Sequence, residues 1–240
     1  MKNYFQLSIL RSLSLLIVLF IAVSFRTHAA QQYEIDPNLD ESIKWYIGAT
    51  GKVDDGKAKT LLETAALTKD PLAVMWIARV YSTGRMGYPA DKDKAKAIAR
   101  GVIADVEKLA EQRVPEATFL MGTAYAEGLA KKKNPQEAVE WYRRAAKLGN
   151  VLAQHNLGNA YASGAGVEQS DELAVKWWLM AAEQGDAIPQ YQLGVMYETG
   201  KGVAKDLERA KNWYQLSAEK GYGKAKTALS RLNRIHRLNR

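Results

Sequence analysis

Residues 115–150, 151–186 and 187–222 repeat one another at a constant interval of 36 residues. Superposed, Gly122, Gly158 and Gly194 fall in one column and Tyr125, Tyr161 and Tyr197 in another. Gly128, Gly164 and Gly200 share a third column, Trp141, Trp177 and Trp213 a fourth, and Gly149, Gly185 and Gly221 a fifth. A period of this size marks a repeat array, in which each unit buries its apolar face only against its neighbours. The function of such a chain is sought on the surface that stacking creates.

Each unit reads as two helices. In 151–186, Leu152, Ala153, Leu157, Gly158 and Tyr161 recur at helical spacing and predict a first helix, A, over 152–162. A glycine-rich link at 163–167 follows. Ala174, Trp177, Trp178, Ala181 and Ala182 then give a second helix, B, over 171–184, ended by Gly185 in the left-handed conformation. Asn134, followed by Pro135, and Asp206 are the expected N-caps of other B helices, with Glu137 at capping-box spacing from Asn134. A glycine inside a helix costs about 1 kcal/mol relative to alanine. Gly122, Gly158 and Gly194 therefore predict close helix–helix approach, with a neighbouring aromatic ring over the missing side chain.

The pattern loosens toward the N-terminus. Trp76, Ala78, Tyr81 and Gly84 keep the helix A spacing in 72–113, but helix B, over 91–112, is longer by about two turns. Residues 54–66 match helix B again, and 39–46 a degenerate helix A, as terminal units of an array do. Residues 223–240 form one more amphipathic helix, with Ala225, Ala228, Leu229, Leu232 and Ile235 on its apolar face. The expected organisation is a signal segment at 1–30, a linker at 31–38 and a repeat array over 39–222. Within the array 39–70 is degenerate, 72–113 irregular and the three 36-residue units regular; 223–240 is a capping helix.

Lys2 and Arg11 precede an apolar run at 13–23, and small residues at Ala29 and Ala30 precede a polar chain. This is the pattern of a secretory signal peptide, cleaved near Ala29 or Ala30. The run is shorter than the roughly 20 residues that span a bilayer, and no cysteine follows it to carry a lipid. The expected location is the periplasm or the extracellular space. The absence of cysteine excludes disulfides, thiolate zinc sites and thiol catalysis. The formal charge of +8 is unevenly placed: Lys224, Lys226, Arg231, Arg234, Arg237 and Arg240 lie in the last helix without one acid.

The stretch 153–167, with Leu157, Gly158, Tyr161, Gly164 and Gly166, resembles the first half of a Sel1-like repeat, as does 192–203 with Leu193, Gly194, Tyr197, Gly200 and Gly202. The continuation 208–221, with Ala210, Trp213, Tyr214, Ala218 and Gly221, resembles the second half. The resemblance is close over 115–222 and fades upstream. It implies an all-α, right-handed α-solenoid of about five Sel1-like or tetratricopeptide-like helical pairs plus a C-terminal capping helix, with A helices lining a concave face. It also implies an adaptor for protein complexes in bacterial envelopes, signalling or secretion. One secreted, cysteine-rich branch of the family has been linked to binding or hydrolysing β-lactams; this chain has no cysteine, and that activity is not carried over.

By repeat position, Thr118, Gln154 and Gln190 are the helix A side chains expected on the concave face, with Thr123, Asn159 and Val195 one turn on and Arg79 in the second unit. His155 and Tyr191 share a column with Met75 and Phe119, read either as packing between A helices or as a stripe that receives a peptide. Arg231, Arg234, Arg237 and Arg240 would present cations to an anionic surface, with binding that weakens in salt. His155 and His236 are too far apart in a solenoid to share a site, and no phosphate loop or metalloprotease motif occurs, so neither a metal nor a cofactor is expected. Ser217 and Lys220 match the Ser-x-x-Lys nucleophile motif of penicillin-recognising enzymes, but its companion elements are missing, and Ala145 and Ala181 hold the column of Ser217 elsewhere. The expectation is an exported, monomeric, non-enzymatic adaptor for a protein partner: an envelope sensor, a secretion component or a toxin that it neutralises. No nucleic acid partner is expected. The alternatives are a β-lactam or peptidoglycan-amide hydrolase and an envelope-surface binder acting through the basic last helix.

Overall fold

Helix N-caps set the frame of this molecule. The computed structural model describes residues 33–238, and within them eleven helices and no strand. Five antiparallel pairs follow one another: α1 (Pro37–Ile47) with α2 (Asp55–Leu67), α3 (Pro71–Thr83) with α4 (Lys92–Glu111), and α5 (Pro115–Glu127) with α6 (Pro135–Lys147). Then come α7 (Val151–Ser163) with α8 (Asp171–Glu183), α9 (Ala187–Thr199) with α10 (Leu207–Glu219), and the single α11 (Gly223–Leu238). The second helix of each pair is capped by the side chain of Asp54, Asp91, Asn134, Ser170 or Asp206. The backbone N–H of the same five residues donates to the carbonyl of Trp45, Tyr81, Tyr125, Tyr161 and Tyr197, at 3.1, 2.8, 3.0, 2.9 and 2.8 Å. That bond, made once per pair, ties each helix B start to the last turn of its helix A. It also corrects one expectation. Asn134 accepts from the N–H groups of Gln136 and Glu137, but its own N–H is taken by Tyr125, so Glu137 does not close a capping box.

The long helix is α4, with 20 residues against 13 in the other B helices. The helix A glycines do what their cost demanded. A Cβ on Gly122 would lie 2.5 Å from Tyr142 Cδ1, and one on Gly194 2.5 Å from Tyr214 Cδ1, while at Gly158 it would collide with the Trp178 indole. Each of the three regular units thus seats a ring of helix B directly on the backbone of helix A.

Helix α11 closes the C-terminal end of the stack. Ala225 and Ala228 are buried, and Leu229 and Leu232 pack on a cluster formed by Ala210, Tyr214 and Ala228. At the other end the array bends until its first turn meets its last. Val53 N–H donates to the Lys220 carbonyl at 2.9 Å, and Lys220 Nζ donates to the Gly48 carbonyl at 2.7 Å. Residues 172 positions apart in sequence are joined, and the groove is bounded into a half-open cavity.

Candidate functional site: the concave cavity

Closure leaves a cavity of about 710 Å³ along the A helices. Tyr46 of α1, Arg79 of α3, Glu127 of α5, Asn156 and Asn159 of α7 and Ile188 of α9 each contribute to its wall, so five successive units build it. Arg85, in the loop after α3, and Tyr222, before α11, line it as well.

Three of the residues proposed from repeat position reach this wall: Arg79, His155 and Asn159. His155 is buried, with Nδ1 2.8 Å from Asp186 Oδ2. The other carboxylate oxygen of Asp186 accepts from the N–H of Ile188 as the cap of α9, so one buried acid orients both the imidazole and the next helix. Asn159 accepts from the Trp178 indole N–H at 3.1 Å.

The rest of the expected concave set lies elsewhere. Gln154 and Gln190 are buried between units, and their amides donate to the carbonyls of Ala146 and Ala182. Those carbonyls belong to the last turns of α6 and α8, where each also accepts the backbone N–H of Gly149 or Gly185. Each of these two glutamines is a bracket between units and is not free to meet a partner. Thr118 and Thr123 are buried too, their hydroxyls donating to the Val114 and Phe119 carbonyls. Tyr191 packs at a tilt against Tyr214 and Tyr222, with ring centroids 5.6 and 5.4 Å away. On α11, Arg231 is held by Glu198 at 2.7 Å and Arg234 is exposed. Arg237 falls in the helix but its side chain, like all of Arg240, lies outside the described residues.

Most of the other wall residues were missed, among them the charged Glu127 and Arg85. Glu127 had one signal: it stands where the other units carry Thr83, Ser163 and Thr199. Arg85 had none, being a loop residue in an irregular unit. The Ser-x-x-Lys pair is not a catalytic dyad in this geometry: the Ser217 hydroxyl is fully buried and donates to the Ala187 carbonyl at 2.6 Å, while Lys220 serves the closure. Among the described residues no cluster of metal-ligating side chains occurs, and no helix is long and apolar enough to cross a membrane.

Under the Arg79 end of the cavity sits Glu116, 6% exposed. Its Oε1 accepts from the Trp76 indole at 2.6 Å and its Oε2 from Asn150 Nδ2 at 2.7 Å. Burial pushes its carboxyl up to about 7, against the downward pull of those two bonds and of Arg79. Between the ordinary value of 4.5 and about 7 the folded protein therefore holds a proton that the unfolded chain has lost. Stability is fully present below that window, falls as pH rises through it by up to about 1.4 kcal/mol per pH unit, and levels off above. Glu116→Gln is expected to flatten this slope. Urea denaturation midpoints of both proteins from pH 5 to pH 8 measure it, and parallel curves would exclude Glu116 as the source.

The fold and cavity define an α-solenoid of helical pairs whose two ends meet around a partly polar interior. The Sel1 repeat model matches residues 71–99, 115–150, 151–186 and 190–222, more than half of the sequence. The chain belongs to the Sel1 repeat family. The α1–α2 pair falls outside the matched segments. A Sel1 repeat protein from Oxalobacter formigenes is 39% identical with a TM-score of 0.51, over 53% of this chain and 96% of that one. The protein c5321, a protective antigen of uropathogenic Escherichia coli strains with an SLR fold, is 25% identical with a TM-score of 0.50. That match covers 85% of this chain and 50% of the antigen. No curated protein matches the sequence.

Proposed function

We propose that this Sel1 repeat protein is an exported, non-enzymatic scaffold of the bacterial cell envelope that holds a protein partner in its concave cavity. The partner classes that suit such a scaffold are an envelope sensor, a secretion component and a toxin to be neutralised. The observation that carries the reading is the cavity itself, walled by five units and preformed through the Val53–Lys220 and Lys220–Gly48 bonds. A site that is already shaped has little ordering entropy to lose on binding, so modest contacts suffice. The engagement of Ser217 and Lys220 in structural bonds supports the non-enzymatic part. Export rests on the apolar run at 13–23 and its basic flank, which lie outside the described residues.

The test is affinity capture from the native envelope with residues 31–240, in parallel with the Ser163→Trp variant, at low and high salt. Ser163 is exposed at the cavity mouth, so an indole there fills the opening without disturbing the core. A protein recovered by the parent at both salt levels and lost by the variant is the expected result. Equal recovery by both proteins, at low salt only, would move the function from the cavity to the basic α11.

A further inference from the structure

We propose that the cavity binds a carboxylate on the guanidinium of Arg79, with Arg85 as a second cation at the same end. The inference rests on the reading of the cavity as the binding surface and adds what its occupant carries there.

Arg79 is only 4% exposed, and its Nε and Nη1 have no hydrogen-bond partner among the described residues. The guanidinium is packed among aromatic rings, its carbon 4.5 Å from the centre of Trp76, 5.3 Å from Phe119 and 5.8 Å from Tyr46. Ring faces hold the cation and fix its place, but they accept none of the N–H bonds in the plane of the fork. The acid that attracts it through space, Glu116, already accepts from Trp76 and Asn150 on its two oxygens. Arg79 is thus a buried cation on the wall of the cavity, its unbonded Nε and Nη1 shielded and only the small remainder of its surface open to an occupant.

Arg85 reinforces the site. Its guanidinium carbon lies 5.9 Å from the same Tyr46 ring, and its Nη1 donates to the Tyr46 hydroxyl. Asp55, Glu127 and Asp186 stand on the same wall and already act on Arg85 through space, so a carboxylate occupant shares the two cations with these acids. A carboxylate suits the position because its two oxygens are acceptors only, and bonds between two ionised groups are the strong class of hydrogen bond. The rest of the wall fixes the remainder of the ligand. Ile47, Val139, Leu152 and Ile188 are apolar, while Asn156 offers an amide. The volume is within the roughly 300–1,000 Å³ of small-ligand sites. The occupant is an organic acid with an apolar body, either a free small molecule or a carboxylate on a segment of the protein partner.

Matched acids and amides separate these sources. Isothermal titration of residues 31–240 is run with acetyl-Leu-Phe and its C-terminal amide, and with 4-phenylbutyrate and 4-phenylbutyramide. The acid is expected to bind about tenfold to a hundredfold more tightly than its amide, the range for a charge-assisted bond. A preference in both pairs identifies a free acid as sufficient; a preference in the peptide pair alone identifies a peptide carboxylate. The preference is expected to disappear in Arg79→Met, with folding checked by thermal melting. Should that variant not fold, the acid–amide comparison on the parent protein decides by itself. Equal affinity for acid and amide, no binding of either acid at millimolar concentration, or a full preference retained in folded Arg79→Met would overturn the proposal. A protein partner that binds the parent and Arg79→Met equally, yet not Ser163→Trp, would remove this inference and leave the scaffold reading intact. Acid binding in a protein that captures no partner would do the reverse.

Discussion

Replacing Trp76 by alanine is expected to lower the unfolding free energy by about 4 kcal/mol, within the range for a fully buried tryptophan. The side chain has no exposed surface. Its ring packs edge-on against Tyr46 and tilted against Phe119, at centroid distances of 6.1 and 6.0 Å, so it bridges the first three units. Its indole N–H is also one of the two donors to Glu116, and its face carries Arg79. Removing it opens a cavity, strips a buried carboxyl of half its partners and loosens the cation above. Trp76→Phe separates these effects: much of the volume returns, the donor does not, and a residual loss of about 1–3 kcal/mol is expected. Denaturant midpoints followed by far-UV circular dichroism give both numbers. A loss below 1 kcal/mol in Trp76→Ala would mean that the first units do not pack through this ring.

Trp76 illustrates which parts of the molecule a reader of the sequence can see. The repeat columns announced the helix pairs, their caps at Asn134 and Asp206 and the glycine–ring contacts, because each depends on residue types at short range and recurs in every unit. The contacts of Arg79 are different. Its three rings, Tyr46, Trp76 and Phe119, come from three units of unequal length, and no spacing rule brings them together. The glutamines misled for another reason. A polar side chain in helix A reads as surface, yet Gln154 and Gln190 are buried, each adding a second bond to a helix-end carbonyl, of Ala146 or Ala182, that already accepts a backbone N–H. Closure left little mark, since of its two bonds only the one from the Lys220 ammonium to the Gly48 carbonyl uses a side chain. The Val53–Lys220 contact is between backbone atoms, and the curvature that produces it accumulates from small rotations between units.

Gly158→Ala is expected to cost about 3 kcal/mol, although alanine is the better helix former by about 1 kcal/mol. The added methyl meets the Trp178 indole, and that ring is not free to swing away: it is buried, and its N–H is bound to Asn159. The chain contains its own control. In the second unit Ala78 stands in the column of Gly158 and Ala99 in that of Trp178, and both are fully buried. In the first unit the same two places hold Ser42 and Leu62. Wherever the glycine has gained a side chain, the ring opposite has been replaced by something smaller. The two positions therefore trade volume, and their effects should not add. Trp178→Leu alone leaves a void and is expected to destabilise. Combined with Gly158→Ala it should cost less than the sum of the two single changes, by about 1–2 kcal/mol. Thermal melts of the four proteins measure the cycle, with a fall of about 8 °C for Gly158→Ala. Strict additivity, or a Gly158→Ala protein as stable as its parent, would show that the glycine column reflects something other than the ring seated on it.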